Sequence, residues 1–267
     1  MSSPTSTLTF DVSGTPAIPF GRLFVVELRK SADTRAGRWL IGITAGLALL
    51  ADIIFLIVAA THPDEQASWG DFVGGAAFVS SVLLPVLGIM LVTSEWSQRT
   101  AMTTFTLEPP RMRIVLAKML AGVALTAFVV VFAIVVGVIC NLLLGAMRDT
   151  PTDWTFGWSG LFGFVINQTL AMLGGFALAC LLLNTPAAIV VFFAYRYVLP
   201  GLLALGSALM AWFADLAPWI DFQSAQGELY DVPLTSTQWA QLAVSGFIWL
   251  VIPLVIGLWR IRRAEVK

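Results

Sequence analysis

Six apolar runs, at residues 39–61, 72–93, 119–146, 160–183, 186–212 and 237–259, take up most of this chain and carry almost no charge. A helix rises about 1.5 Å per residue and a bilayer's hydrocarbon layer is about 30 Å thick, so about 20 residues suffice to cross it and each run qualifies with some tilt. The competing reading, core helices of a large soluble protein, fails on composition. Of the 267 residues 58% are hydrophobic and 12% charged, and the mean hydropathy is +0.87, which leaves no polar surface to cover such a core. The pattern predicts an all-α integral membrane protein with six transmembrane helices. Only Asn184, Thr185 and Pro186 part the fourth run from the fifth, and Asn-Thr-Pro is a tight-turn sequence.

Charge sets the expected orientation. Thirteen of the fifteen Lys and Arg fall in three places: before the first run (Arg22, Arg29, Lys30, Arg35, Arg38), in the 94–118 segment (Arg99, Arg111, Arg113, Lys118), and in the tail (Arg260, Arg262, Arg263, Lys267). The connections at 62–71, 147–159 and 213–236 hold Arg148 alone against nine acidic residues. The positive-inside rule therefore predicts a multi-pass protein of the cell membrane with both termini and the 94–118 segment cytoplasmic. Cations spread over three edges fit anionic lipid, not nucleic acid.

Residues 1–19, rich in Ser, Thr and Pro, read as a disordered cytoplasmic tail and not as a secretory signal, since they lack a basic start and an apolar core. Over 20–36, Phe20, Leu23, Phe24 and Leu28 share one side of a helix with Arg22 and Arg29 nearly opposite. That is the pattern of an amphipathic helix lying in the membrane interface, or more simply of a basic flank to the first span. The six-span block then runs 37–260, with 261–267 a second cytoplasmic tail.

Few residues suit chemistry. Cys140 and Cys180 lie inside spans, where they pack as small apolar groups. His62 is the single histidine, too isolated for a metal site or a proton shuttle, and the spans offer no Ser-His or paired-Asp arrangement. No metal, no bound cofactor and no enzyme activity are expected of this chain.

Two charges do sit at depth: Asp52 in the first span and Arg196, within FFAYRYVLP, in the fifth. An unpaired charge there costs at least about 3 kcal/mol, so each should face protein or water, and the two are expected to approach one another within a subunit or across a dimer. The pair could form an ionic switch or only fix helix packing. Gly42 and Gly46 form a GxxxG, Gly174 and Gly175 permit close helix approach, and Pro85, Pro200 and Pro253 each remove a helical hydrogen bond inside a span.

The stretch EWSQRTAMTTFTLEPPRMR, residues 95–113, interrupts this oily sequence. Ser94 and Glu95 close the second span, Thr100 to Leu107 suits a short helix with Met102 and Phe105 on one side, Pro109-Pro110 forces a break, and Pro110 fits the first turn of the next helix. The expected product is a stiff elbow held below the membrane by two spans; the simpler reading is a solvated basic loop.

Glu95, Arg99-Thr100, Thr103-Thr104-Phe105, Leu107-Glu108-Pro109, Arg111 and then Lys118 leading into a long apolar helix resemble the cytoplasmic elbow of type-two ABC transporter permeases, the membrane subunits of bacterial ATP-driven exporters. The similarity extends to the interfacial helix, the six spans, both ends inside and a longer outer segment between the last two spans. It implies that the elbow is a coupling helix docking on a separate ABC ATPase subunit through Glu95, Arg99, Thr100, Thr104, Phe105, Glu108, Pro109, Arg111 and Arg113. It further implies two ATPase copies, which hold ATP and Mg, and a second permease copy or a homologous permease, with the substrate route between the permeases. Residues 212–230 resemble in position the family's short outer helices that dip back toward the membrane, with Trp212, Trp219 and Phe222 at interfacial depth; an exposed loop is the alternative. No GxxxxGK[ST] occurs, so nothing in the sequence can cradle ATP phosphates as a P-loop does. The rival function is a gradient-driven secondary transporter switched by Asp52 and Arg196, which would predict internal repeats that the sequence lacks.

Overall fold

A computed structural model describes residues 18–62, 67–98, 100, 110–230 and 233–263. Every regular element among them is helical, and six of the helical segments are long and apolar enough to cross a membrane. The first, α2 (Arg35–Thr61), follows a shorter helix α1 (Phe20–Asp33) across a break at Thr34, whose hydroxyl caps α2 by accepting from Gly37 N at 3.1 Å. The boundary expected near 36 therefore falls two residues earlier. α3 (Trp69–Ser97) starts on a capping contact in which Ser68 N donates to Asp71 Oδ2 at 2.7 Å, and α4 (Arg111–Arg148) begins immediately after Pro110.

α5 (Gly157–Leu182) ends on Leu183 in the left-handed region, φ 52°. Asn184 Oδ1 then caps α6 (Thr185–Phe193) by accepting from Ala187 N, so the Asn-Thr-Pro turn forms where the sequence puts it. α6 continues through a π turn, Ala194–Val198, into α7 (Leu199–Leu209), and this composite is the fifth long helix. The sixth is α10 (Ser236–Gly246), a π turn at Phe247–Val251 and α11 (Ile252–Arg263). Both π turns lie just ahead of a proline, Pro200 or Pro253, and in each the N–H that follows the turn reaches back five residues, Leu199 to Ala194 and Ile252 to Phe247. The helix thereby absorbs the hydrogen bond that the imino acid cannot make.

α3 and α5 form the centre: half or more of their apolar windows is buried, against 17–22% for the first, fifth and sixth long helices. Their crossing is tight because Gly175 lies on the Pro85 carbonyl, where any side chain would collide. The outer helices turn Ile, Leu, Val and Trp outward along their whole length, for example Ile53, Ile54, Ile57, Leu202, Leu205 and Leu209. That distribution suits hydrocarbon as the surrounding solvent. Gly42 and Gly46 have nothing within 4 Å of a built Cβ, so the GxxxG packs on nothing among the described residues.

Between the fifth and sixth long helices come α8 (Ala211–Ile220), α9 (Phe222–Gly227) and a 3-10 turn at Glu228–Tyr230. This segment folds back onto the bundle. Its Leu229 carbonyl lies 2.5 Å from where a Cβ on Gly163 would be, six residues or about 9 Å into α5. Trp212 is exposed, and Phe222 joins the core where α9 packs beneath α10 at Gly246. The tail expected at 1–19 lies outside the described residues apart from Ile18 and Pro19. α11 is helical through Arg263, past the expected boundary at 260.

Candidate functional site

One end of the bundle gathers the basic residues, and its centre is a buried charge cluster. α1 turns Phe20, Leu23, Phe24 and Leu28 partly inward and leaves Arg22 and Arg29 exposed, as its spacing requires. Glu27, three residues after Phe24 and four after Leu23, shares that inward face and is the one buried residue of the helix. Lys118, two turns into α4, donates to Glu27 Oε2 at 2.6 Å and to Glu95 Oε1 at 2.9 Å. Lys30 donates to Glu27 Oε1 at 2.8 Å and to the same Glu95 oxygen at 3.0 Å.

The cluster is neutral, with two carboxylates against two ammoniums, and it ties together α1, α3 and α4. Lys118, Glu27 and Glu95 are less than a tenth exposed, whereas the Lys30 side chain is 45% exposed. Burial on its own would lower the Lys30 proton affinity, but the hydrogen bonds and charges of Glu27 and Glu95 outweigh it and hold the ammonium above its ordinary value. Beside the cluster lies a cavity of about 480 Å³ walled by α1, α2, α3 and α4, with Gly37, Leu87, Ser94 and Thr100 on its lining.

The start of α4 also holds both ends of the fold. Arg113 donates to Ile18 O at 2.6 Å, and Arg111 donates to Ile261 O at 2.8 Å near the C-terminus of α11, where carbonyls lack intrahelical partners. Arg260 in turn reaches Leu181 O, at the end of α5, at 2.6 Å.

The residues expected at the elbow thus divide. Glu95 turns inward to the lysines, Arg111 and Arg113 brace the chain's own main-chain carbonyls, and Thr100 N closes the end of α3 on Glu95 O at 3.0 Å. Arg99, Thr104, Phe105, Glu108 and Pro109 lie outside the described residues, as does the short helix expected from Thr100 to Leu107 beyond its first residue. Sequence reading missed Glu27 and gave Lys30 and Lys118 no partner. The signal for Glu27 was present in its place on the apolar face of α1.

The intramembrane charges expected to meet do not do so within the chain. Arg196 lies in the π turn of the fifth long helix and donates to Gln223 Oε1 on α9. Asp52 is 1% exposed, near Gly75 of α3, and neither carboxylate oxygen has a hydrogen-bond partner among the described residues. The reason is topological: α2 packs on α3 and α4 while the fifth helix packs on α3 and α5, so α3 stands between the two charges. Cys140 and Cys180 are free and buried, and His62 Nδ1 lies 3.0 Å from Val58 O on an exposed helix end. No cluster of three or more His, Cys, Asp or Glu suited to a metal occurs among the described residues. No protein-family profile matches this chain, and no characterised protein matches it in sequence.

Proposed function

We propose that this chain is the permease subunit of a bacterial ATP-driven exporter, working with two copies of a separate ABC ATPase and with a second permease copy or a homologous permease. ATP and Mg bind the ATPase, and this chain supplies the path and the lever. The buried Lys118–Glu27–Glu95–Lys30 cluster carries the reading. It lies near the end of α3 and the start of α4, which flank residues 99–109 in the sequence, and joins α1, α3 and α4, so a displacement passed through those ends reaches three helices together instead of dissipating in one. Arg111 and Arg113 extend the linkage to α11 and to the approach of α1. A membrane helix pair joined by a loose loop would need none of these contacts. The orientation follows the charge distribution: the cluster end faces the cytosol, with both termini, and Gly42 and Gly46 offer an unoccupied small-residue face to lipid or to the second permease.

The test is co-purification from the native host. An ATPase recovered in stoichiometric amount, and lost on Glu108→Ala while the permease keeps its thermal unfolding midpoint, is the expected result. Full-rate, gradient-driven flux in vesicles that contain this chain alone would overturn the reading in favour of a secondary transporter.

A further inference from the structure

About halfway along the bundle, α3, α5, the fifth long helix and the returning segment line a second, open cavity of about 280 Å³. Arg196 reaches it about 17 Å from the start of α6, a depth at which water-exposed arginines are rare. Its guanidinium carries five donors, and Gln223 Oε1 is its one hydrogen-bond acceptor among the described residues. Gln223 is itself oriented: its Nε2 donates to Tyr195 Oη at 3.1 Å, and Tyr195 stacks on Trp249 with ring centroids 4.7 Å apart. Asp221, the acidic group closest to Gln223 in the chain, is fully used in capping α9, accepting from Gln223 N, Ser224 N and Ser224 Oγ. The cavity thus holds a positive charge that no carboxylate among the described residues neutralises.

On the opposite wall Gln168, 1% exposed, donates Nε2 to Ala77 O at 3.0 Å, which ties α5 to α3 beside the cavity. Phe78 also lines the cavity and is 68% exposed, so the polar chamber opens onto the apolar outer face of α3.

We propose that this cavity is a binding site for the head group of an acidic amphiphile, a phosphate whose oxygens accept from Arg196, with the tail leaving over Phe78. Its volume falls just short of the range of drug-sized pockets, which suits a head group and not a whole cargo molecule. The proposal does not depend on the ATPase partnership, because binding is read on the isolated chain.

The experiment titrates purified protein in dodecyl maltoside with dodecyl phosphate and follows the thermal unfolding midpoint and Trp fluorescence. Wild type should bind saturably, and Arg196→Gln should bind about tenfold or more weakly. Arg196→Lys, which keeps the charge and guards against a variant that does not fold, should fall between wild type and Arg196→Gln. Dodecyltrimethylammonium should not bind. A folded Arg196→Gln that takes the phosphate as tightly as wild type overturns the assignment, as does equal binding of the cationic amphiphile. Repeating the titration in phosphatidylcholine nanodiscs with and without phosphatidylglycerol distinguishes the sources of the same head-group chemistry. Loss of probe binding in phosphatidylglycerol identifies a bilayer lipid as the occupant, and undiminished binding identifies a free amphiphile.

Discussion

Two regions of this molecule bury charge in opposite ways. At the basic end, Lys118, Glu27, Glu95 and Lys30 form four ion-pair contacts of 2.6–3.0 Å, each carboxylate bonded to both lysines. In the middle of the bundle, among the described residues, Asp52 has no hydrogen-bond partner and Arg196 has only a neutral amide. Low dielectric makes the first arrangement a fixture, because removing one member strands the others, while the second leaves hydrogen-bonding capacity that the chain does not use. The kind of helix alone does not separate them, since Glu95 and Lys118 lie on long apolar helices as Asp52 and Arg196 do.

The largest effect should come from the fixture. Lys118→Met removes the one fully buried cation and leaves Glu27 and Glu95 facing each other across a site that only the half-exposed Lys30 still reaches. Breaking a buried pair in this way costs about 3–5 kcal/mol, which for a chain of this size lowers the thermal midpoint by on the order of 10 °C. The triple change Glu27→Leu, Glu95→Leu, Lys118→Met should recover much of that, since well-packed apolar groups replace buried ion pairs at little cost. A drop of under about 2 °C for the single variant would show that the cluster is not tightly closed. If the triple variant is stable yet no longer supports transport with the proposed ATPase partner, the cluster is needed for the proposed coupling as well as for folding.

The cluster also marks the limit of what the sequence discloses. The six long helices follow from composition, and Asn184 caps α6 because a side-chain acceptor just ahead of Thr-Pro has one obvious use. The amphipathic face of α1 is equally local. Glu27 and Lys118, by contrast, are 91 residues apart, and their meeting depends on how α1 and α4 pack, which no local pattern encodes. The π turn that places Arg196 has the same origin: Pro200 announces a defect in the hydrogen-bond ladder, but packing against α9 decides its form.

A smaller effect sharpens the contrast within the cluster. Lys30→Met removes a cation whose side chain is 45% exposed, so water compensates much of its pairing and the loss should be about 0.2–1 kcal/mol. Because its carboxylate partners raise the Lys30 value, the native state holds this proton more tightly than the unfolded chain does. The contribution is therefore complete below the unfolded lysine value, roughly 10.4, and fades as the pH rises through the higher native one. Unfolding midpoints of wild type and Lys30→Met should keep a constant separation from pH 6 to about 9 and converge only above about 10.4. A separation that changes between pH 6 and 8 would mean that another group titrates with the cluster.

The smallest effect is the one that tests whether the two mid-bundle charges are independent. If Asp52 and Arg196 paired across a subunit interface, replacing either would strand the other, and the double replacement would cost less than the sum of the singles. Their places in the fold argue against that: Asp52 is enclosed between α2 and α3, where a partner's side chain cannot reach it without parting those helices, and Arg196 is held by Gln223 on the far side of α3. A thermodynamic cycle over Asp52→Asn and Arg196→Gln, measured in detergent without added amphiphile, should therefore be additive within about 0.5 kcal/mol. A coupling energy of about 1 kcal/mol or more would join the two charges into one device and revive the gradient-driven switch. Additivity would leave Arg196 answering to a ligand and Asp52 to the packing of α2 on α3, two separate uses of charge where the sequence alone suggests a single pair.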